Sequence, residues 1–143
     1  MTQTLTSTRF GDVKIPDEAV VEFPVGLIGL SGNRYAMLPH DEDGTFLWLH
    51  SMNDPSLALP LTSPWRFFDG YEVELSDSEA ERIGVKDPAE AEVFVTVRAA
   101  DTAEGFSANL RAPIIIAGGR GYQVINEAAD APVRAPLFAQ PVS

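Results

Sequence analysis

Apolar and polar positions along the chain alternate in short blocks, and the blocks end at glycine, proline, asparagine or aspartate. From Arg9 to Ile15, Val13 and Ile15 fall on one face and Asp12 and Lys14 on the other. A period of two is the mark of a strand with one buried face. Tyr71-Glu72-Val73-Glu74-Leu75 repeats it, with Tyr71, Val73 and Leu75 expected inward, and Val93, Val95 and Val97 repeat it again. Ala19–Phe23, Tyr35–Leu38, Ala108–Ile116 and Tyr122–Asn126 read as further strands. Pro113 implies an edge, a bulge or a break in its segment, because proline cannot donate to a ladder.

The run Phe46-Leu47-Trp48-Leu49 has no alternation. Bounded by Gly44 and by Asn53-Asp54-Pro55, it predicts a strand covered on both faces. Asn53 and Asp54 can bond nearby backbone, and Pro55 blocks a simple continuation, so a tight polar corner is expected before the next strand at Leu57-Ala58-Leu59. Asp41-Glu42-Asp43-Gly44 separates Tyr35–Leu38 from Thr45–Ser51 and predicts a hairpin. The run 117–121, with three glycines, predicts a turn between the last two strands.

Helical signals are few. Ser76-Asp77-Ser78-Glu79 has the form of a capping box, with Gly84 as its stop. Asp87-Pro88-Ala89-Glu90 is a second start, and Ser63–Phe68 is room for one turn. These elements predict a mainly β, single-domain fold over residues 1–143. Its expected form is an antiparallel β-barrel or sandwich with one or two short helical insertions. Residues 1–8 and 132–143 are expected to be flexible or to hug the surface.

Composition narrows the chemistry. With no cysteine, disulfides, zinc thiolates and iron–sulfur ligation are excluded. No stretch reaches the roughly 18–20 apolar residues of a spanning helix, and the polar, threonine-rich start lacks the parts of a secretory signal. A cytoplasmic protein is expected. Its 21 acidic against 10 basic residues, a net charge of −11, oppose direct binding to nucleic acid or an anionic membrane. They favour a basic protein partner, or simply solubility.

No catalytic motif emerges. His40 and His50 lack a third ligand or an orienting carboxylate, and the glycines at 26, 29 and 32 do not fit a dinucleotide fingerprint. No metal or cofactor is expected. Nine acids against two bases lie between Asp69 and Glu92. Glu72 and Glu74 sit about 7 Å apart on one strand face. That spacing admits a carbohydrate-active barrel enzyme with Trp65, Phe67 and Tyr71 around a pocket, a solvated face, or a docking surface for a basic partner.

An ordered set of segments then gives the chain a kinship. Thr8-Arg9-Phe10-Gly11, Phe23-Pro24-Val25-Gly26-Leu27-Ile28-Gly29, Phe46 to Ala58, and Glu74-Leu75-Ser76-Asp77 come first. Gly84 with Asp87-Pro88, Ala108-Asn109-Leu110 with Ala112-Pro113-Ile114, Arg120–Ile125, and Arg134 with Pro136-Leu137 follow. In that order they resemble the flagellar assembly factor FliW family. Arg111, Met52-Asn53, the short Ala117–Gly119 turn and Ala131 depart from the family pattern. The resemblance implies a non-enzymatic regulator that binds flagellin and the small basic RNA-binding repressor CsrA, without itself touching nucleic acid. A chaperone of flagellin alone is the narrower version. Asn53, Asp54, Asn109, Arg111 and Gln123 are the expected partner contacts, with Glu72, Glu74 and Asp77 as an acidic docking set. The plain alternative for each is turn chemistry, strand pairing or solubility.

Overall fold

The computed structural model describes residues 2–8, 10–24, 26–27, 32–39, 46–68, 70–74, 76–83, 91–98, 105–117, 119–126, 133 and 135–137. The strands are β1 (Thr2–Ser7), β2 (Gly11–Pro16), β3 (Val20–Glu22), β4 (Arg34–Pro39), β5 (Phe46–Ser51) and β6 (Ala58–Thr62). After the helix α1 (Asp77–Ile83) come β7 (Glu92–Arg98), β8 (Ser107–Ala108), β9 (Ile114–Ala117), β10 (Arg120–Gln123) and β11 (Ala135–Pro136). Single 3-10 turns occupy Asp17–Ala19 and Pro64–Arg66.

Strands β3-β4-β5-β6-β7-β9-β10 follow one another around a closed seven-stranded barrel, because β7 pairs with β9 and β10 returns to β3. The neighbours are antiparallel except at the closing seam, where Arg120 lies beside Glu22 in parallel and the Glu22 amide donates to the Gly119 carbonyl at 2.9 Å. β8 and β11 continue outward from the far end of β7. Barrel closure removes the open edges that a flat sheet of this size would expose.

Alternation decides what each strand buries. Phe23, Tyr35, Leu49, Leu61 and Ile114 have no exposed surface and fill the interior with Val21 and Phe94. The Phe23 and Tyr35 rings meet edge to face, 5.4 Å apart, an arrangement worth about 0.5–1.5 kcal/mol beyond area burial. Residues of opposite parity point outward and are covered by three layers. The β1–β2 hairpin brings Leu5 and Ile15 onto Ala36. Phe67, Phe68, Tyr71, Leu110 and Leu137 cover Val95 and Val97. Ile83 of α1 lies against the patch of Ile115, Tyr122 and Val124. Strand β5 is therefore covered on both sides as its unbroken apolar run requires, Leu47 and Leu49 within the barrel and Phe46 against Phe67.

Several expectations change. Residues 2–7 do not form a tail: they pair along their whole length with β2, and Leu5 and Ser7 are buried. Ala135 and Leu137 are likewise core residues, held through β11 on β8 and by the Leu137 amide on the Phe106 carbonyl. Tyr71–Glu74 is not a strand of the sheet, although its alternation holds: Tyr71 is buried, Val73 half-buried, Glu72 and Glu74 exposed. The Ala108–Ile116 segment breaks into β8 and β9 around Asn109–Pro113, as Pro113 implied. Arg120 and Gly121 belong to β10 rather than to the turn, and Gly119 is a turn residue. The acidic turn at 41–44, Gly84 and the Asp87-Pro88 signal lie outside the described residues.

Gly121 sits at the seam for a steric reason. A Cβ added there would come within 2.5 Å of the Phe23 ring. The predicted effect of Gly121→Ala is a loss of about 1–3 kcal/mol from overpacking, read as a lower urea midpoint. Adding Phe23→Leu should recover part of that midpoint, a result that a general intolerance of β10 to substitution would not give.

Candidate functional site

The corner after β5 is assembled by a serine. Ser51 is buried, and its hydroxyl oxygen accepts the amides of Asn53 at 3.0 Å and Asp54 at 2.9 Å. Asp54 then continues the turn: Oδ1 accepts both the amide and the hydroxyl of Ser56, at 2.9 and 2.7 Å. The Leu57 amide returns to the Asp54 carbonyl, and the Ser51 amide to Leu57, so the chain re-enters β6 in register. The Ser56 backbone N–H, and after it the hydroxyl, hold the Asp54 carboxyl below its ordinary value. A depressed folded-state pKa stabilises the fold above the unfolded value, near 3.9, and that support is lost as pH falls through the folded value. Burial pushes the Tyr35 hydroxyl up, and the Asp54 charge adds to it.

Asn53 is exposed, yet its amide lies against Gly32, where an added Cβ would stand 3.2 Å from Asn53 Oδ1. Gly32 has φ +91°, a conformation that favours glycine. The corner is also fastened to the amino-terminal hairpin. The Thr8 amide and hydroxyl both donate to the Pro55 carbonyl. His50, fully buried, uses both ring nitrogens. Nδ1 lies 2.8 Å from the Ser51 carbonyl, which can only accept, so Nδ1 carries the proton. Nε2 lies 2.8 Å from the Ser7 hydroxyl, whose oxygen also receives the Phe10 amide. His50 is thus a fastening between β5 and the hairpin; His40 lies outside the described residues.

The second construction centres on Asn126, a fully buried residue just beyond β10. Its Oδ1 accepts the Glu74 amide at 2.8 Å, and its Nδ2 donates to the Glu72 carbonyl at 2.8 Å and the Tyr71 hydroxyl at 3.2 Å. One side-chain amide therefore does for Glu72–Glu74 what a neighbouring strand would do. The Tyr71 hydroxyl donates onward to the Leu110 carbonyl at 2.8 Å. Burial raises its pKa, and the Asn126 bond partly opposes that. The Asn126 amide donates to the Arg111 carbonyl at 2.7 Å, and Arg111 Nη1 returns to the Asn126 carbonyl at 3.3 Å.

Around this hub the broken segment between β8 and β9 takes its shape. Asn109 Oδ1 accepts the amides of Arg111 and Ala112, at 3.0 and 3.2 Å, in an Asx turn. Gln123 Nε2 donates to the Ala112 carbonyl at 3.1 Å. The structure therefore gathers Asn109, Arg111, Gln123 and the Glu72–Glu74 backbone around Asn126, while Asn53 and Asp54 belong to the β5–β6 corner. Asp77 opens α1 and is exposed, as are Glu72 and Glu74. The amides of Asn109, Gln123 and Asn126 organise backbone, and the exposed side chains around them are the carboxylates of Glu72 and Glu74 together with Trp65 and Ile125. Trp65 and Phe67 belong to the same neighbourhood: the Trp65 indole donates to the Tyr71 carbonyl, and Phe67 stacks on Phe46.

Sequence reasoning missed Asn126, Ser51 and the Ser7–His50 pair. Asn126 follows the apolar run Tyr122–Ile125, where an asparagine looks like an ordinary strand end. Only the unexplained alternation of Tyr71–Leu75, a strand in want of a partner, hinted that something must satisfy it. Asn126→Ala would strand the Glu74 amide and the Glu72 carbonyl. Stability is expected to fall by about 2–4 kcal/mol, since buried groups lose their partners. The Glu74 amide should show the largest gain in hydrogen-exchange rate. Uniform acceleration over the whole barrel would contradict the local role.

Against known proteins, residues 4–137 match the family model described as FliW protein. The chain is 37% identical over 132 residues to the flagellar assembly factor FliW of Azoarcus sp. strain BH72, covering 85% of this chain and 90% of that protein. It is 30% identical over 139 residues to the FliW of Desulfitobacterium hafniense strain Y51, covering 95% and 91%. A crystal structure of the flagellar assembly factor FliW superposes with a TM-score of 0.87 at 28% identity, over 98% of this chain and all of that one. With a matched family model spanning nearly the whole chain and the same fold in a solved relative, the chain belongs to the FliW family of flagellar assembly factors.

Proposed function

We propose that this protein is a non-enzymatic cytoplasmic adaptor. It binds flagellin and captures the translational repressor CsrA, so that flagellin synthesis follows flagellin export. The observation that carries the reading is family membership over residues 4–137. The charge supports it: a net −11 suits capture of a small basic partner, whose encounter is steered by opposite potentials. Among the described residues no helix is long and apolar enough to cross a membrane.

Within that reading the exposed acids Glu72, Glu74 and Asp77 form the docking set. Glu72 and Glu74 project from a segment whose backbone is fixed by Asn126, so their carboxylates are offered from a rigid base. A pre-ordered surface gives up less conformational freedom on binding. Asn53, Asp54, Asn109, Arg111 and Gln123 serve the interface by shaping the turns beneath it, and Asn53 and Arg111 also offer side chains at or near the surface.

Calorimetry with CsrA and with flagellin, each at two salt concentrations, tests the reading. Wild-type protein is expected to bind both, with CsrA the more salt-sensitive. The triple variant Glu72→Gln, Glu74→Gln, Asp77→Asn should lose about tenfold or more in CsrA affinity and most of the salt dependence. Binding to neither protein at low salt contradicts the adaptor, and binding to flagellin alone reduces it to a chaperone. An unchanged triple variant removes the acidic docking set.

A further inference from the structure

The barrel interior is not filled to its end. A cavity of about 330 Å³ remains, within the lower part of the roughly 300–1,000 Å³ range of ligand pockets. Its floor is Val21 and Phe94, both buried; its walls are Met37, Leu47 and Ile116, each half-buried. All five belong to the inward-facing core, so the cavity is the mouth of the barrel rather than a crevice between layers. Barrel mouths are a recurrent place for binding sites.

Two carboxylates mark the rim. Glu18 comes from the 3-10 turn before β3, and Glu92 is the first residue of β7. Both are exposed, and among the described residues neither is engaged in an ion pair or hydrogen bond. An apolar well with negative charge at its lip selects its occupant. The well rewards an aliphatic or aromatic group that leaves water. The lip repels an anion and attracts a cation, in the same sense as the net charge of −11.

We propose that the barrel mouth receives an apolar side chain of a protein partner, in a segment where lysine or arginine flanks it. The apolar side chain enters between Met37, Leu47 and Ile116, and the flanking cations meet Glu18 and Glu92. That the segment comes from a flagellar partner rests on the adaptor reading; the chemistry of the mouth does not. The site is separate from the Glu72–Glu74–Asp77 set, because none of those residues lines it.

Methyl NMR of methionine-labelled protein tests the proposal, since Met37 lines the mouth while Met52 packs under the amino-terminal hairpin and serves as an internal control. The probes are acetyl-Lys-Leu-Lys-amide, its Glu-Leu-Glu counterpart, CsrA and flagellin. The basic tripeptide should move the Met37 methyl and leave Met52 in place, and the acidic one should move neither. Glu18→Gln with Glu92→Gln, both at the surface, should weaken the basic tripeptide about fivefold. Ile116→Trp, which fills the well, should weaken the bound protein partner at least about tenfold. A partner that binds wild type and both variants equally, with Met37 unmoved, overturns the mouth and leaves the adaptor standing. If neither protein binds, the adaptor fails and the tripeptide still decides: a Met37 shift supports the mouth, and its absence, or an equal shift with the acidic peptide, overturns it.

Discussion

Strands β3 and β10 meet in parallel at one register position, Arg120 beside Glu22, reinforced by the Glu22 amide on Gly119. That narrow seam turns a curled sheet into a barrel. It is possible because Gly121 has no side chain where the Phe23 ring lies. Phe23 in turn packs edge to face on Tyr35 and belongs to the interior cluster. Closure therefore couples the first and last strands of the barrel to its centre. A larger residue at 121 or a displaced Phe23 would open the seam and expose the edges that closure hides.

Once the barrel is closed, its outer face must be covered too, since β5 and β7 carry apolar residues on both sides. The chain does this with elements that contribute little core of their own. The amino-terminal hairpin is held by Leu5, Ile15 and the Ser7–His50 bond; α1 rests on Ile83; the segment at Tyr71 is secured by Asn126. Polar side chains act here as substitutes for strand pairing, and in a buried setting such bonds matter most when removed. The same devices position what faces the solvent: the corner at Asn53–Asp54 over the hairpin, and the carboxylates of Glu72 and Glu74 over Asn126.

The pattern of the chain made much of this legible. Period two in 9–15 marked Val13 and Ile15 as the face the hairpin buries, and Pro113 marked the break before β9. At 93–97 it marked Val93, Val95 and Val97, which face outward beneath the covering layers while Phe94 fills the barrel. What it left open was partnership. Tyr71–Glu74 alternates correctly, but alternation specifies an extended backbone and not the group that satisfies it, and that group is one asparagine more than fifty residues away. The hairpin strand β1 escaped notice because Leu5 is its lone large apolar residue; the carboxy-terminal Ala135 and Leu137 were masked by the prolines around them. Of the site, the residues at 109, 111 and 123 were drawn from kinship and do converge on one place. Their side chains turned out to hold backbone, which sequence spacing alone does not distinguish from contact with a partner.

In the adaptor reading proposed above, the acidic barrel with its carboxylate-bearing flank holds one basic protein until another claims it. In such a linked equilibrium each partner weakens the other by the same factor. The direct test is a competition titration: labelled CsrA is bound to the protein, flagellin is added, and release is followed by fluorescence anisotropy. Flagellin is expected to displace CsrA with rising concentration, and the order of addition is expected not to change the end point. A stable ternary complex, with CsrA affinity unaltered at saturating flagellin, would contradict this competition.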